Sequence, residues 1–419
     1  MLRYHKRSLK MLVYVVCGLM ALAGLCLYSA SVTDASGGEG CTLKVVSSLP
    51  LRGSYATETA SMMNAYQLAL QEHGAETQDG KCRLVLVSLD DSSAESGMWN
   101  SEAESANAKQ AAADPETLAY LAPFNSGAAK ISIPLLNQSG PLVMVGAYNT
   151  YWGLTKADYA QDGEPNKYYP TGIRNYARVI PSDELQGAVA ARWYLAQGVK
   201  SVDVIQDGSL YGKGVAAEFV KQAKTLGLEI KSDQTVNFET ADVVALANQV
   251  AKRKSDAVYL GGIGSSQVAR FLSELRALNW QGLFGGADAL LGEMMLEPGD
   301  ASEGMIVTHT DLPAEELAKT DARTAKWLVA YKTQFGSAPE PPAIYAYEAM
   351  RVVLAALDKC SAADDFSRIC VRDAVMTTHA WDGILGQVWS FDANGDTTLQ
   401  LVSVYQVVNG KWQIIGLAK

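Results

Sequence analysis

Short apolar runs alternate with amphipathic stretches twice along this chain, and the two series are separated by a break. In the first series, residues 43–49 (LKVVSSL) read as a strand. Residues 57–73 read as a helix, with Met62, Tyr66, Ala69 and Leu70 on one face. Residues 84–89 (LVLVSL) form a second buried strand ending at Asp90-Asp91. A helix over 100–113, a strand over 118–121, a helix over 128–137 and a strand over 142–145 follow. Residues 151–175, rich in Tyr, Asp, Gly and Pro, show no period. The second series runs through strands at 202–206, 229–238, 257–260 and 305–309, with helices at 214–226, 242–252 and 266–278 between them. Alternation of this kind builds parallel sheets covered by helices on both faces, so two series imply two doubly wound α/β lobes. The last third changes style. Helices are expected at 322–335, 344–358 and 366–378, and then a hairpin in which Asn409-Gly410 joins 402–408 to 412–415.

The first 31 residues read as a targeting segment. Arg3, Lys6, Arg7 and Lys10 precede an apolar run from Met11 to Leu27, and small residues follow at Ser29, Ala30 and Ser31. The run is long for a cleaved signal and near the minimum for a span, so an uncleaved anchor stays open. Cys26 adds a lipid-anchor option, against which Leu25 stands where a small residue is wanted. Residues 32–40 read as a flexible tether. Either way the body is expected outside the cytoplasm, periplasmic or at the cell surface, touching membrane only through the N-terminal segment. Those four basic residues carry all the charge of the leader, so the body is more acidic than the formal net charge of −10. An acidic body argues against nucleic acid, which needs clustered Lys and Arg.

Four of the six cysteines lie outside the leader. In an exported chain an even number suggests disulfides. Cys41 and Cys82 each precede a predicted strand and would meet across parallel neighbours. Cys360 and Cys370 would close a short loop between helices. No CxxC or Cys/His cluster suggests a metal, and no cofactor is expected. HExxH, GxSxG, a Walker loop and a GxGxxG after the first strand are all missing. His73 and His309, at the ends of a helix and a strand, read as structural. An enzyme, such as an amide hydrolase, is therefore the least favoured class, with no nucleophile–base pair to support it.

Open parallel sheets bind ligands beyond the carboxyl ends of their strands. Those ends here carry GSYAT (53–57), PFNSG (123–127), GAYNT (146–150), DGSLYG (207–212), GGIGS (261–265) and GGAD (285–288). Ser126, with the free amides of the helix it opens, would hold a carboxylate. Asp288 would hold an ammonium. Tyr55, Tyr148 and Tyr211 would supply flat walls and directed hydroxyls. Each reading has a plain rival: Ser126 as a helix cap, Asp288 as the cap of a helix at Leu290. Six strand ends of one character point to a small, zwitterionic, amino-acid-like ligand.

At these residues the chain resembles the type I periplasmic binding proteins of branched-chain amino acid ABC transporters. The resemblance runs from about Leu43 to Thr310 and more loosely to the end. LPLRGSYA (49–56), LDD (89–91), APFNSGAA (122–129), RVIPSDELQGAVAA (178–191), DGSLYGKGVA (207–216) and GGADAL (285–290) carry it. The resemblance implies that Ser126, beside Asn125, binds the ligand carboxylate. Ala147 and Asn149, with Thr150 as a near alternative, would add contacts beside Tyr148. Asp288 would bind the ammonium, and Tyr55 and Tyr211 would wall the site. Two departures put the ligand in doubt, leaving amides, ureas and aromatic acids open. Ile263 stands where the branched-chain binders carry Tyr, and aspartate stands at 288 where glutamate is usual. Residues 151–175 read as an insertion near the cleft. The resemblance further implies a monomer that closes about a hinge on its ligand and docks on a membrane permease. Lobe 1 is expected to comprise 41–179 and 311–380, and lobe 2 to comprise 180–310 and 381–419. Crossings would fall near 178–181, 308–312 and 380–386. A membrane-anchored ligand sensor on the same fold is the rival from another class.

Overall fold

The computed structural model describes residues 41–93 and 99–419. The expected leader and tether, residues 1–40, lie outside them. Two sheets organise the described chain. The first holds β1 (Cys41–Leu49), β2 (Cys82–Asp90), β3 (Thr117–Leu121), β4 (Val143–Gly146) and β5 (Tyr176–Arg178), in the order β2-β1-β3-β4-β5. All its pairings are parallel. Three crossover helices connect these strands: α1 (Ala56–His73), α2 (Ser101–Ala113) and α3 (Ser126–Asn137).

The second sheet contains β6 (Ser201–Gln206), β7 (Glu229–Thr235), β8 (Ala257–Gly261), β9 (Leu283–Ala287) and β10 (Ile306–His309). β11 (Val402–Val408) and β12 (Lys411–Ala418) complete it, in the order β12-β11-β10-β9-β8-β6-β7. β6 to β10 are parallel and the last two strands antiparallel. Its helices are α4 (Glu184–Ala196), α5 (Leu210–Thr225), α6 (Val243–Arg253) and α7 (Ser266–Ala277). At the Asn409-Gly410 turn both residues take positive φ, 53° and 69°, as the tight hairpin turn requires.

The first core is completed from far along the chain. After β10 come α8 (Ala314–Leu317), α9 (Ala322–Phe335), α10 (Pro342–Ala362) and α11 (Arg368–Met376). Tyr345, Met350, Val353 and Leu357 of α10 join Leu43, Val45, Met62 and Tyr66 in one apolar cluster. Among the described residues, no helix is long and apolar enough to cross a membrane. Ile384, Leu385, Trp389, Phe391, Leu399 and Leu401 pack in the same first core. The third crossing therefore falls at 401–402, where β11 begins, and not at 380–386. Residues 381–401 are buried by the first lobe because their apolar side chains face α10, whose buried Glu348 also accepts from the Ile384 N–H at 3.1 Å.

Both expected disulfides are present. Cys41 and Cys82 sit opposite each other at the start of the paired β1 and β2, with Cα atoms 4.5 Å apart. Cys360 and Cys370 join α10 to α11 at 6.0 Å.

Four of these elements are not expected from the sequence: β5, α4, β9 and the short α8. The sequence reading places 285–288 in a strand-end loop, but 283–287 (LFGGA) form β9, with two glycines inside the strand. Its neighbours explain them: a Cβ on Gly285 would lie 2.2 Å from the Ile306 carbonyl oxygen, and one on Gly286 2.3 Å from that of Leu260. Close strand and helix approach, not a turn, selects glycine there.

Candidate ligand-binding cleft

The loops at the carboxyl ends of both sheets supply the candidate site. In the first lobe, Asn125 takes extended angles (φ −90°, ψ 135°) at the N-cap of α3, and Ser126 is the first helical residue. The plain-cap reading of Ser126 therefore does not hold. No side chain caps this helix, and the Asn125 Oδ1 is buried without a partner. An uncapped helix N-terminus favours an anion. The Tyr151 N–H donates to the Ser126 Oγ at 3.4 Å. Trp99 lies across the same turn, since a Cβ on Gly127 would come within 2.7 Å of its indole. Tyr55, Phe124 and Tyr148 form a ladder of rings, with centroids 4.9 and 5.0 Å apart.

In the second lobe, the Tyr211 hydroxyl donates to Asp288 Oδ1 and accepts from the Ala289 N–H at 3.3 Å. The Asp288 N–H donates to Gln186 Oε1 at 2.9 Å. Asp288 opens a short 3-10 turn whose N-cap is Ala287, so its carboxylate turns to Tyr211 instead of capping a helix. Beside it Asp183 is buried; that burial first, and then the Asp288 charge, push its carboxyl up to about 7. His309 pairs with Asp311 at 3.1 Å. Burial works against a charged imidazole, but the Asp311 carboxylate outweighs it and carries His309 up to about 9.

The segment 151–175 joins the two sides. Trp152 is fully buried, and its ring stacks on Tyr211 with centroids 6.5 Å apart and planes 10° from parallel. The socket is cut to fit, because a Cβ on Gly214 of α5 would lie 2.3 Å from that indole. Trp152 Nε1 donates to the Tyr159 carbonyl at 2.7 Å. Arg178, wholly buried at the first crossing, anchors the base of the segment. It donates to Asp396 Oδ1 at 2.6 Å, Thr155 Oγ1 at 2.8 Å, and the carbonyls of Asn149 at 3.1 Å and Tyr151 at 2.8 Å. Lys156 then reaches both Glu184 and Asp396. Contacts thus run from Ser126 through Tyr151, Trp152 and Tyr211 to Asp288.

One expected contact is spent elsewhere. Asn149 spends its amide inside the first lobe: Nδ2 donates to the Pro123 and Phe124 carbonyls at 2.8 and 3.2 Å, and Oδ1 accepts from Tyr176 at 3.3 Å. It braces the β3–α3 loop. Ile263, in the loop after β8, is 59% exposed, and its N–H donates to Asp207 at 3.1 Å. Ala147 is buried, and Thr150 offers its carbonyl to the Asp183 N–H at 3.0 Å. Sequence reasoning missed Trp99, Trp152 and Asp183 as site residues and gave Arg178 only as the start of a crossing. An aromatic pair at the mouth of an aperiodic segment was the one available signal, and it marked Trp152 only as part of an insertion.

Two parallel-sheet lobes joined by three crossings, with polar loops facing each other at the strand ends, define a hinged ligand-binding architecture. Comparison with known proteins agrees. Residues 42–411 match the family described as periplasmic binding protein. The Leu/Ile/Val-binding protein BraC3 of Rhizobium johnstonii is 29% identical over 248 residues, 57% of this chain and 63% of that relative's length. An ABC transporter substrate-binding protein from Desulfitobacterium hafniense, in complex with Leu, superposes with a TM-score of 0.67 at 21% identity. It covers 89% of this chain and 100% of that one. A solute-binding protein from R. palustris, in complex with benzoate, gives 0.59 at 17% identity, covering 90% and 97%. The chain belongs to the periplasmic binding protein family.

Proposed function

We propose that this chain is the extracytoplasmic solute-binding component of an ABC importer and captures a small zwitterion between its lobes. The ligand carboxylate sits at the N-terminus of α3 with Ser126, and its ammonium sits on Asp288. Closure about the three crossings buries the ligand between the Tyr55–Phe124–Tyr148 rings and Tyr211, and the closed form docks on a membrane permease. The observation that carries this reading is the pairing of an uncapped helix start on one lobe with a carboxylate on the other, joined through Trp152 and Tyr211. Nothing is transformed in this reading, which makes the chain a carrier and not an enzyme.

A melting-temperature screen of the purified protein against amino acids tests it. At least one zwitterion should raise the melting temperature, and Asp288→Asn should abolish that rise while the unliganded protein stays folded. The three-ring ladder supports a second reading, an aromatic acid. Such a ligand has no ammonium, so Asp288→Asn would leave its binding in place.

A further inference from the structure

The cleft holds more negative charge than one ammonium neutralises. The Tyr148 hydroxyl marks the place: burial first, and then the charges of Asp311, Asp288 and Glu58, hold its proton on. These carboxylates come from three separate parts of the fold, namely the residue after next beyond β10, the turn after β9 and the first turn of α1. Asp183 lies beside Asp288 but holds its proton up to about pH 7, so the unneutralised charge is that of Asp288 and Glu58. Glu58 Oε2 is buried and has no hydrogen-bond partner. The nearby cations are already committed, His309 to Asp311 and Arg178 to Asp396. Among the described residues, no lysine or arginine forms an ion pair with Glu58, Asp183 or Asp288. The ring faces of Tyr55, Phe124 and Tyr148 belong to the same lobe, and such faces attract cations.

We propose that the cleft selects an amino acid with a second positive centre, a dibasic one in place of a branched-chain one, with Glu58 and the Tyr55–Phe124–Tyr148 ladder receiving the side-chain cation. This rests on the reading in which Ser126 and Asp288 hold the two charges of the amino acid backbone. An aliphatic side chain in this place leaves the buried Oε2 of the half-buried Glu58 without a partner, which disfavours binding. An ammonium or guanidinium supplies the missing partner.

Calorimetric titration of the purified protein with L-arginine, L-lysine, L-leucine and L-isoleucine in one buffer tests the proposal. Arginine or lysine should bind at least about tenfold more tightly than leucine, and Glu58→Gln should shrink that preference by about tenfold. In the unmutated protein, added NaCl should weaken the dibasic ligand more than leucine, a readout that needs no variant to fold. Leucine or isoleucine binding as tightly as arginine overturns the dibasic assignment and leaves the zwitterion reading standing. Failure of every amino acid to bind overturns both. A preference untouched in a folded Glu58→Gln protein removes Glu58 from the site.

Discussion

Trp152, carried on the segment that follows β4 in the first lobe, lies flat on Tyr211 of α5 in the second, with ring centroids 6.5 Å apart and planes 10° from parallel. The same Tyr211 donates to Asp288. A side chain from one lobe thus backs the hydroxyl that aims the other lobe's carboxylate. Trp152→Ala empties a fully buried site and should destabilise the protein by about 3–5 kcal/mol. It should also weaken ligand binding, since Tyr211 loses its support. Denaturant unfolding and titration on one preparation would measure both; unchanged affinity would separate Trp152 from the site.

Gly214 is the other half of this contact. Its missing Cβ is what lets the indole in, so Gly214→Ala should displace Trp152 and cost about 1–3 kcal/mol by overpacking. The two substitutions should be non-additive. With the indole gone, the three atoms nearest a Cβ at 214 are gone too, and the double variant should be no less stable than Trp152→Ala alone. Additive losses in a double-mutant cycle would contradict the packing.

Arg178 fixes the root of the same segment. It is buried, and its partners are Asp396, Thr155 and the carbonyls of Asn149 and Tyr151. Arg178→Met keeps much of the volume but strands Asp396 without its main cation. The expected loss is about 3–5 kcal/mol. Arg178→Met combined with Asp396→Leu should recover part of it, because no charge is then left buried alone. Thermal or urea unfolding of the three proteins would read the difference.

How much of this was legible in the sequence differs by region, for physical reasons. The doubly wound lobes follow from short apolar runs alternating with amphipathic stretches; β1, β3, β6 and β8 read as such runs because those strands are largely buried on both faces. Ser126 and Asp288 could be named because strand ends in such sheets face the cleft. β9 could not, since its glycines answer to neighbouring backbone that the sequence does not display. Nor could the placing of 381–401, which depends on a long-range fit against α10. Asn149 is named as a contact by position, but a side chain's orientation is settled by competing partners. For Asn149 those partners are two carbonyls of its own lobe.

The two disulfides should differ in what they contribute. The bond between Cys41 and Cys82 closes a loop with a sequence separation of 41, against 10 for Cys360 and Cys370. Loop-closure entropy alone predicts about 4 kcal/mol for the first and about 3 for the second. Paired Cys→Ser variants, compared by urea unfolding, should therefore place the Cys41/Cys82 variant lower. The reverse order would mean that packing of α10 on α11 outweighs chain entropy.

Stability should fall as pH rises through neutrality. Burial raises the carboxyl of Asp91 to about 7, that of Glu104 to about 8 and, with help from Asp288, that of Asp183 to about 7. Asp311 holds His309 up to about 9 against its burial. In each case the folded state binds a proton more tightly than the unfolded chain, where the ordinary values are near 4 for carboxyls and 6.5 for histidine. The three carboxyls therefore lose their contribution as pH climbs from about 4 to about 8, and His309 loses its own from about 6.5 to about 9. At the acid end the sign reverses. Hydrogen bonds from Tyr151 and Tyr168 overcome burial at Glu164 and hold it near 2, and Thr77 leads those that hold Asp79 near 2, so these two lose their contribution as pH drops below about 4. The unliganded protein should thus melt highest near pH 5 and at a lower temperature at pH 9, measured by calorimetry at constant ionic strength. His309→Gln should flatten the part of the curve above about pH 6.5; because it also strips the buried Asp311 of the cation that holds its carboxyl down, it should lower the melting temperature at neutral pH as well. A melting temperature that rises from pH 5 to pH 9 would mean that these four groups are not proton-bound in the folded protein at neutral pH.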